Sequence, residues 1–375
     1  MATSPPERPS RRRRRAVGVG ALALLLLAAA GFAYLRSNTT ATTKQTPGVP
    51  FTNPLLATPN PVRYDFVSPS LGWAVEIPLT QPNSVSQFHV FRTLDSGKHW
   101  QLQVTGQSSG PGFIPIAVQF FDRTHGYMAL ALAFTGEQVY RTSDGGDEWQ
   151  AVQLPAPQSV VVRFSDASHG LALAQPNPPT NQLFKLYATS DGGAAWQRLP
   201  DPPRDAYYLE FRRPTEAWMG SLGQDSPHIY ASADVGRTWQ RHDLPPPPGR
   251  TWDPGGYGTI VRLLPLVGAV AAAGGGIFTS FDTGGTWRYV PPPPGEVGYE
   301  DDFHWWAIKG TVLSKSSDAG QTWNEISKTL PDWQLVPYLL DSKDAWAELT
   351  VVGGFGLALT SDGGLHWTRA NVPRL

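Results

Sequence analysis

Thr142-Ser143-Asp144-Gly145-Gly146-Asp147-Glu148-Trp149 has the makings of a tight turn followed by a large apolar anchor. An Asp side chain accepts hydrogen bonds from backbone N–H groups just ahead of it and so fixes a turn. Glycine supplies the positive φ that a β-branched residue adopts only with strain. A Trp entering the next strand offers a broad apolar face that can wedge between neighbouring sheets. The stretch therefore reads as a turn joining two strands.

The same pattern, Ser/Thr-x-Asp-x-Gly-x-x-Trp, occurs seven times. The first two copies are Thr93, Asp95, Gly97, Trp100 and Thr142, Asp144, Gly146, Trp149. Next come Thr189, Asp191, Gly193, Trp196, then Ser232, Asp234, Gly236, Trp239. The last three are Ser280, Asp282, Gly284, Trp287; Ser316, Asp318, Gly320, Trp323; and Thr360, Asp362, Gly364, Trp367. Successive aspartates are 49, 47, 43, 48, 36 and 44 residues apart. Repeats of about 40–50 residues holding several short strands are propeller blades. A second motif lies upstream: Phe66 before Gly72-Trp73, Phe120 before Gly126-Tyr127, Phe164 before Gly170-Leu171, Phe211 before Ala217-Trp218, and Leu339 before Ala345-Trp346. Each reads as a hairpin joining strand 1 to strand 2, and the Asp turn joins strand 3 to strand 4. The expected fold is all-β, a seven-bladed propeller of four-stranded antiparallel blades over residues 61–375.

The turn resembles the Asp-box, or BNR, repeat of sialidase-type propellers. Together the two motifs resemble the photosystem II stability/assembly-factor-like propellers, with the double motif clear in blades 1–4 and 7 and weakest in blades 5 and 6. That resemblance implies a binding or assembly scaffold, not a photosystem.

Composition agrees: charged residues are only 16%, with 38 Gly, 36 Pro and 14 Trp. With no cysteine there are no disulfides, thiolate metal sites or Cys nucleophiles. Residues 1–36 hold seven Arg and one Glu, leaving 23 basic and 30 acidic side chains in residues 37–375. Such a body has no phosphate-binding footprint, so nucleic acid is not an expected partner. Arg11 to Arg15 precede twenty uncharged residues, 16–35, long enough to cross a bilayer as a helix. The expected organisation is a basic cytoplasmic tail (1–15), a transmembrane signal-anchor (16–35), a Thr/Pro-rich linker (36–60) and the propeller (61–375) outside. If the apolar segment is instead cleaved as a signal peptide, the propeller is secreted.

The rival function is an exo-glycosidase of sialidase type or an endo-glucanase; a purely structural or sensory ectodomain is a third reading. Phe211-Arg212-Arg213-Pro214 matches the Phe-Arg-x-Pro motif of sialidases but aligns with the ordinary hairpin turns of other blades. It reads as a surface turn on the Asp-turn face, whereas propeller ligands are expected on the opposite one. Glycosidase chemistry would instead need three of Arg63, Arg204, Arg250 and Arg262 to converge near a Glu and a Tyr. The seven aspartates lack the alternating ligands and closing Glu of a calcium loop, so they read as structural. The sequence calls for no cofactor and no metal.

Function on a rigid scaffold concentrates in its longest loops. Residues 245–258 and 291–304 each open with four prolines and read as consecutive blade-to-blade connections. Arg250, Trp252, Asp253 and Tyr257 are then expected to approach Tyr299, Glu300, Asp301, Asp302 and His304 on the face away from the Asp turns. Arg with aromatics suits a protein hot spot or a glycan, and the acidic run suits a cation or a basic partner. The expected partners are the membrane and a protein or glycan.

Overall fold

The computed structural model describes residues 43–44, 60–78, 87–107, 113–132, 136–156, 159–176, 184–222, 226–252, 258–331, 334–351 and 354–373. The expected tail, membrane segment and most of the linker lie outside these. Among the described residues no helix is long and apolar enough to cross a membrane.

The described chain forms seven antiparallel four-stranded sheets in strict chain order, the blades of a propeller. Blade 1 comprises Val62–Phe66, Gly72–Glu76, Gln87–Thr93 and Gln101–Gln107. Blade 2 starts at Phe113–Phe120, blade 3 at Ser159–Phe164, blade 4 at Ala206–Arg213 and blade 5 at Thr259–Leu263. Blade 6 is Glu296–Tyr299, Trp305–Lys309, Val312–Ser316 and Asn324–Ser327. Blade 7 is Gln334–Leu339, Ala345–Val351, Gly354–Thr360 and Thr368–Ala370. A two-residue strand, Thr43–Lys44, adds to the outer edge of blade 1. Second strands have both faces covered by neighbouring blades, and Gly72–Glu76 and Gly170–Ala174 are buried at every position. The outer strands vary in length, from Gln101–Gln107 in blade 1 to only Gln150–Ala151 in blade 2.

All seven Asp turns share one hydrogen-bond pattern. In the second copy the Thr142 hydroxyl donates to Asp144 Oδ1 at 2.9 Å and accepts from the Gly146 N–H at 2.9 Å. Asp144 Oδ1 also accepts the Glu148 N–H at 2.9 Å. The aspartates are thus committed to their own turns. Asp191 and Asp282 are held below the usual carboxylate range by the N–H groups of Ala195 and Thr286. The residue after each Asp is left-handed. Gly145, Gly192 and Gly363 fill that place in three copies, while Ser96, Val235, Thr283 and Ala319 occupy it at φ of 57–66°.

The apolar core is not one mass. Among the described residues it divides into seven clusters, one in each seam between adjacent blades. The Trp after each turn works as the sequence suggested: Trp149 of blade 2 packs edge-on against Phe120, which stacks on Trp73 of blade 1. The ring closes without strand exchange, since all four strands of blade 7 come from the C-terminal part of the chain. Its seam with blade 1 holds Tyr64, Phe66 and Trp100 against Trp346, Leu357 and Ala370. Asn371 clasps it. Its N–H donates to Gly97 O at 3.1 Å, its Nδ2 to Lys98 O at 2.6 Å, and its carbonyl accepts Trp100 Nε1 at 2.8 Å. Closure by an N-terminal strand from residues 50–57, which the sequence also allows, falls outside the described residues.

Candidate functional site

The expected cluster of two connections does not form. Residues 300–304 join strands 1 and 2 of blade 6, so they lie on the Asp-turn face. Residues 245–252 join blade 4 to blade 5 on the other face. Arg250 and Trp252 are therefore separated from Glu300, Asp301, Asp302 and His304 by the length of a blade. Asp253 and Tyr257 lie outside the described residues.

Most of these residues hold the fold. Trp252 donates to Leu244 O at 2.9 Å and packs on Phe278. Asp301 accepts the Phe303 and His304 N–H groups, each at 2.7 Å, and pairs with the His304 ring at 2.8 Å; that bond raises the imidazole's affinity for its proton. Asp122 and Asp166 cap the same turn of blades 2 and 3 with His125 and His169. Asp302 is fully buried and accepts the N–H groups of Leu266, Val267 and Gly268 at 3.1, 2.9 and 2.8 Å. It fastens the turn of blade 5 to that of blade 6. Glu300 enters the turn through its backbone, its N–H donating to His304 O at 2.9 Å.

Arg212 of the Phe-Arg-Arg-Pro segment is likewise a fastener. It donates to the carbonyls of Leu264 at 2.7 Å and Gly268 at 2.9 Å and pairs with Glu216. Arg213 donates to Leu266 O at 2.7 Å. A cleft of about 270 Å3 opens between blades 2 and 3 on the same face. Its cation, Arg141, already donates to the carbonyls of Asp191 and Gly192, both at 2.9 Å.

The innermost strands offer a different site. Strand 1 of every blade lies at the axis, and its buried residues alternate with residues at the channel edge. One edge position precedes the residue that pairs with the first residue of strand 2, or in blade 4 with the second. It is held in turn by Asp65, Gln119, Arg163, Glu210, Arg262, Gly298 and Tyr338. Two residues earlier, toward the connection face, stand Arg63 in blade 1, Tyr208 in blade 4, and Ile260 in blade 5, which is 49% exposed.

Arg63 pairs with Glu348 at 3.2 Å. Arg163 donates to Val162 O at 2.9 Å, and Arg262 lies 5.5 Å over the Tyr299 ring. Among the described residues neither Arg163 nor Arg262 makes an ion pair. Glu210 sits close enough to both to feel their charge, and the Tyr208 hydroxyl acts on the same carboxyl. Burial nonetheless raises Glu210, as it raises Glu137 to about 7 beside Arg163. Tyr208 is the extra residue of a β-bulge and has φ of 62°. Every other left-handed non-glycine residue among those described belongs to an Asp turn. Tyrosine in that conformation costs about 1–3 kcal/mol, and such strain clusters at binding sites.

Of the four arginines weighed for glycosidase chemistry, Arg63 and Arg262 stand on inner strands. Arg250 is exposed in a connection and Arg204 precedes the inner strand of blade 4. Arg163, Tyr208 and Glu210 were not singled out from sequence. Aligning the seven repeats on their hairpin would have found them, since a charged residue inside a buried strand recurs at one position.

No family model matches the chain, and no curated protein matches its sequence. Solved structures do resemble it. "YCF48 bound to D1 peptide" is 18% identical, covers 88% of this chain and 99% of its own, and has a TM-score of 0.54. YCF48 from Cyanidioschyzon merolae is 15% identical, with coverage of 86% and 99% and a TM-score of 0.53. A puromycin-hydrolysing peptidase from Mycobacterium tuberculosis reaches 0.52 at 10% identity, covering 86% of this chain and 56% of its own. At such identities the likeness is one of fold, and the chain is a seven-bladed propeller of the kind YCF48 adopts.

Proposed function

We propose that this protein is a membrane-anchored, extracytoplasmic propeller that binds a protein or glycan partner as a scaffold and carries out no catalysis. The anchor is the uncharged segment 16–35 behind its arginine block. The Asp-box aspartates, bound within their own turns, take no part in recognition. The partner engages the channel edge at blades 3–5. The observation that carries this is Tyr208, held left-handed beside Glu210, Arg163 and Arg262. By analogy of fold alone, the peptide named with YCF48 supports a protein partner.

Affinity capture from solubilised membranes tests the reading, comparing wild type with Tyr208→Asn. Asparagine tolerates the left-handed conformation, so the bulge survives while the ring is lost. Loss of captured partners is expected. Identical capture by both proteins refutes the assignment of the site. The glycosidase alternative rests on Arg63, Arg163 and Arg262 sharing the inner strands with Glu210 and Tyr208. Release of chromophore from aryl glycosides, abolished by Glu210→Gln, would establish it in place of the scaffold.

A further inference from the structure

We infer that the channel edge between blades 3 and 5 is a receptor for a carboxylate carried on an apolar body. The inference rests on the channel being the binding site and names what it binds. Arg163 and Arg262 flank Glu210 on the inner strands of three successive blades. Their charges are felt at Glu210, yet neither is tied up in an ion pair among the described residues. Arg262 is exposed and held by its stacking over Tyr299, which leaves its N–H edge unobstructed by that contact. A guanidinium presents paired donors that match the two oxygens of a carboxylate. Stacking on an aromatic ring orders the fork before the ligand arrives.

The apolar half follows from the same strands. Side chains two residues apart share one face of a strand. Ile260 therefore stands beside Arg262, and the bulge places Tyr208 next to Glu210. Ile260 is 49% exposed at the axis. With Tyr208 it provides an apolar step on the connection side of the arginines. A ligand entering from that side meets the step with its body and the arginines with its charge.

Isothermal titration calorimetry of the full chain with N-acetyl-leucine and its amide tests the inference. The acid is expected to bind at least tenfold more tightly than the amide. Arg262→Ala and Arg163→Ala are each expected to weaken the acid about tenfold, with circular dichroism and melting unchanged. Arg288→Ala, on the outer strand of blade 5, is expected to have no effect. Equal affinity for acid and amide overturns the carboxylate, as does full affinity in both arginine variants. Glucuronate binding as tightly as N-acetyl-leucine overturns the apolar body. Partners captured through Tyr208 with no binding of either leucine compound would refute this inference and leave the scaffold standing. Binding of N-acetyl-leucine without any captured partner would do the reverse.

Discussion

Removing residues 371–375 should open the ring at one seam. The segment gives blade 1 three hydrogen bonds through Asn371, to Gly97 O, Lys98 O and from Trp100 Nε1. Each contributes about 1 kcal/mol net. Val372, only 3% exposed, adds roughly 1.5–3 kcal/mol of burial. The loss is therefore about 4–6 kcal/mol. That is a large part of the roughly 5–15 kcal/mol that holds an ordinary domain folded. Trp100→Phe should cost less than the truncation, about 1 kcal/mol for the Nε1 bond plus the buried area of the lost pyrrole ring, because a smaller ring still packs against Tyr64 and Phe66. Denaturant titration reads both values. Hydrogen exchange should show Gln101–Gln107 and Thr368–Ala370 opening first, while the seam between blades 3 and 4 stays protected. Among the described residues no strand is shared across the closure, and blade 7 is held to blade 1 by Asn371, the Arg63–Glu348 pair and the packed side chains of that seam. A truncated protein within about 1 kcal/mol of wild type, or one that opens equally at all seams, would refute this account.

Asp302→Ala should cost about 3 kcal/mol or more in denaturant titrations, since it leaves the N–H groups of Leu266, Val267 and Gly268 without their acceptor. Partner capture should survive that change, because Asp302 lies on the Asp-turn face. Thr283→Gly should raise stability by roughly 1 kcal/mol by removing a β-branched residue from φ of 57°, and an unchanged or lower melting temperature would count against strain there. Asp65 is half-buried at the channel edge, and its loss of water raises it to about 7, an effect the N–H groups of Phe120 and Phe66 only partly offset. The unfolded carboxyl ionises near 3.8 while the folded one keeps its proton, so stability is fully present below about 4 and is lost as pH rises to about 7. Glu137, also raised to about 7, acts in the same direction. Asp65→Asn should flatten part of that slope in melting temperatures between pH 4 and 7, and an unaltered slope would show that Asp65 is ionised in the fold.

How far the sequence could be read depended on whether a residue's role is local. The Asp turn is closed by bonds spanning four residues, so its pattern survives in the string and the blades could be counted from it. The hairpin register was equally plain where a bulky apolar residue faces a small one at the start of strand 2, as in Phe66↔Gly72 and Phe164↔Gly170, but the same pairing of Leu263 with Ala269 in blade 5 went unread. In blade 6 that place holds Trp305, buried by blade 5, so the hairpin went unrecognised and residues 300–304 were read as a connection. One local signal remained: Asp301 and His304 repeat the spacing of Asp166 and His169, which cap the same turn. Asp302 shows the opposite limit. Its partners are 34–36 residues away in the next blade, and an acidic run reveals nothing of three buried N–H groups. The channel edge combines both cases. Arg163, Glu210 and Arg262 occupy one repeat position, which the sequence contains, but only ring closure turns one position in seven blades into a single wall. Tyr208 enters that wall through a bulge that no periodicity encodes. The scaffold thus lies in local, repeated chemistry, and the residues hardest to read in this chain are those that depart from the repeat, Tyr208 first among them.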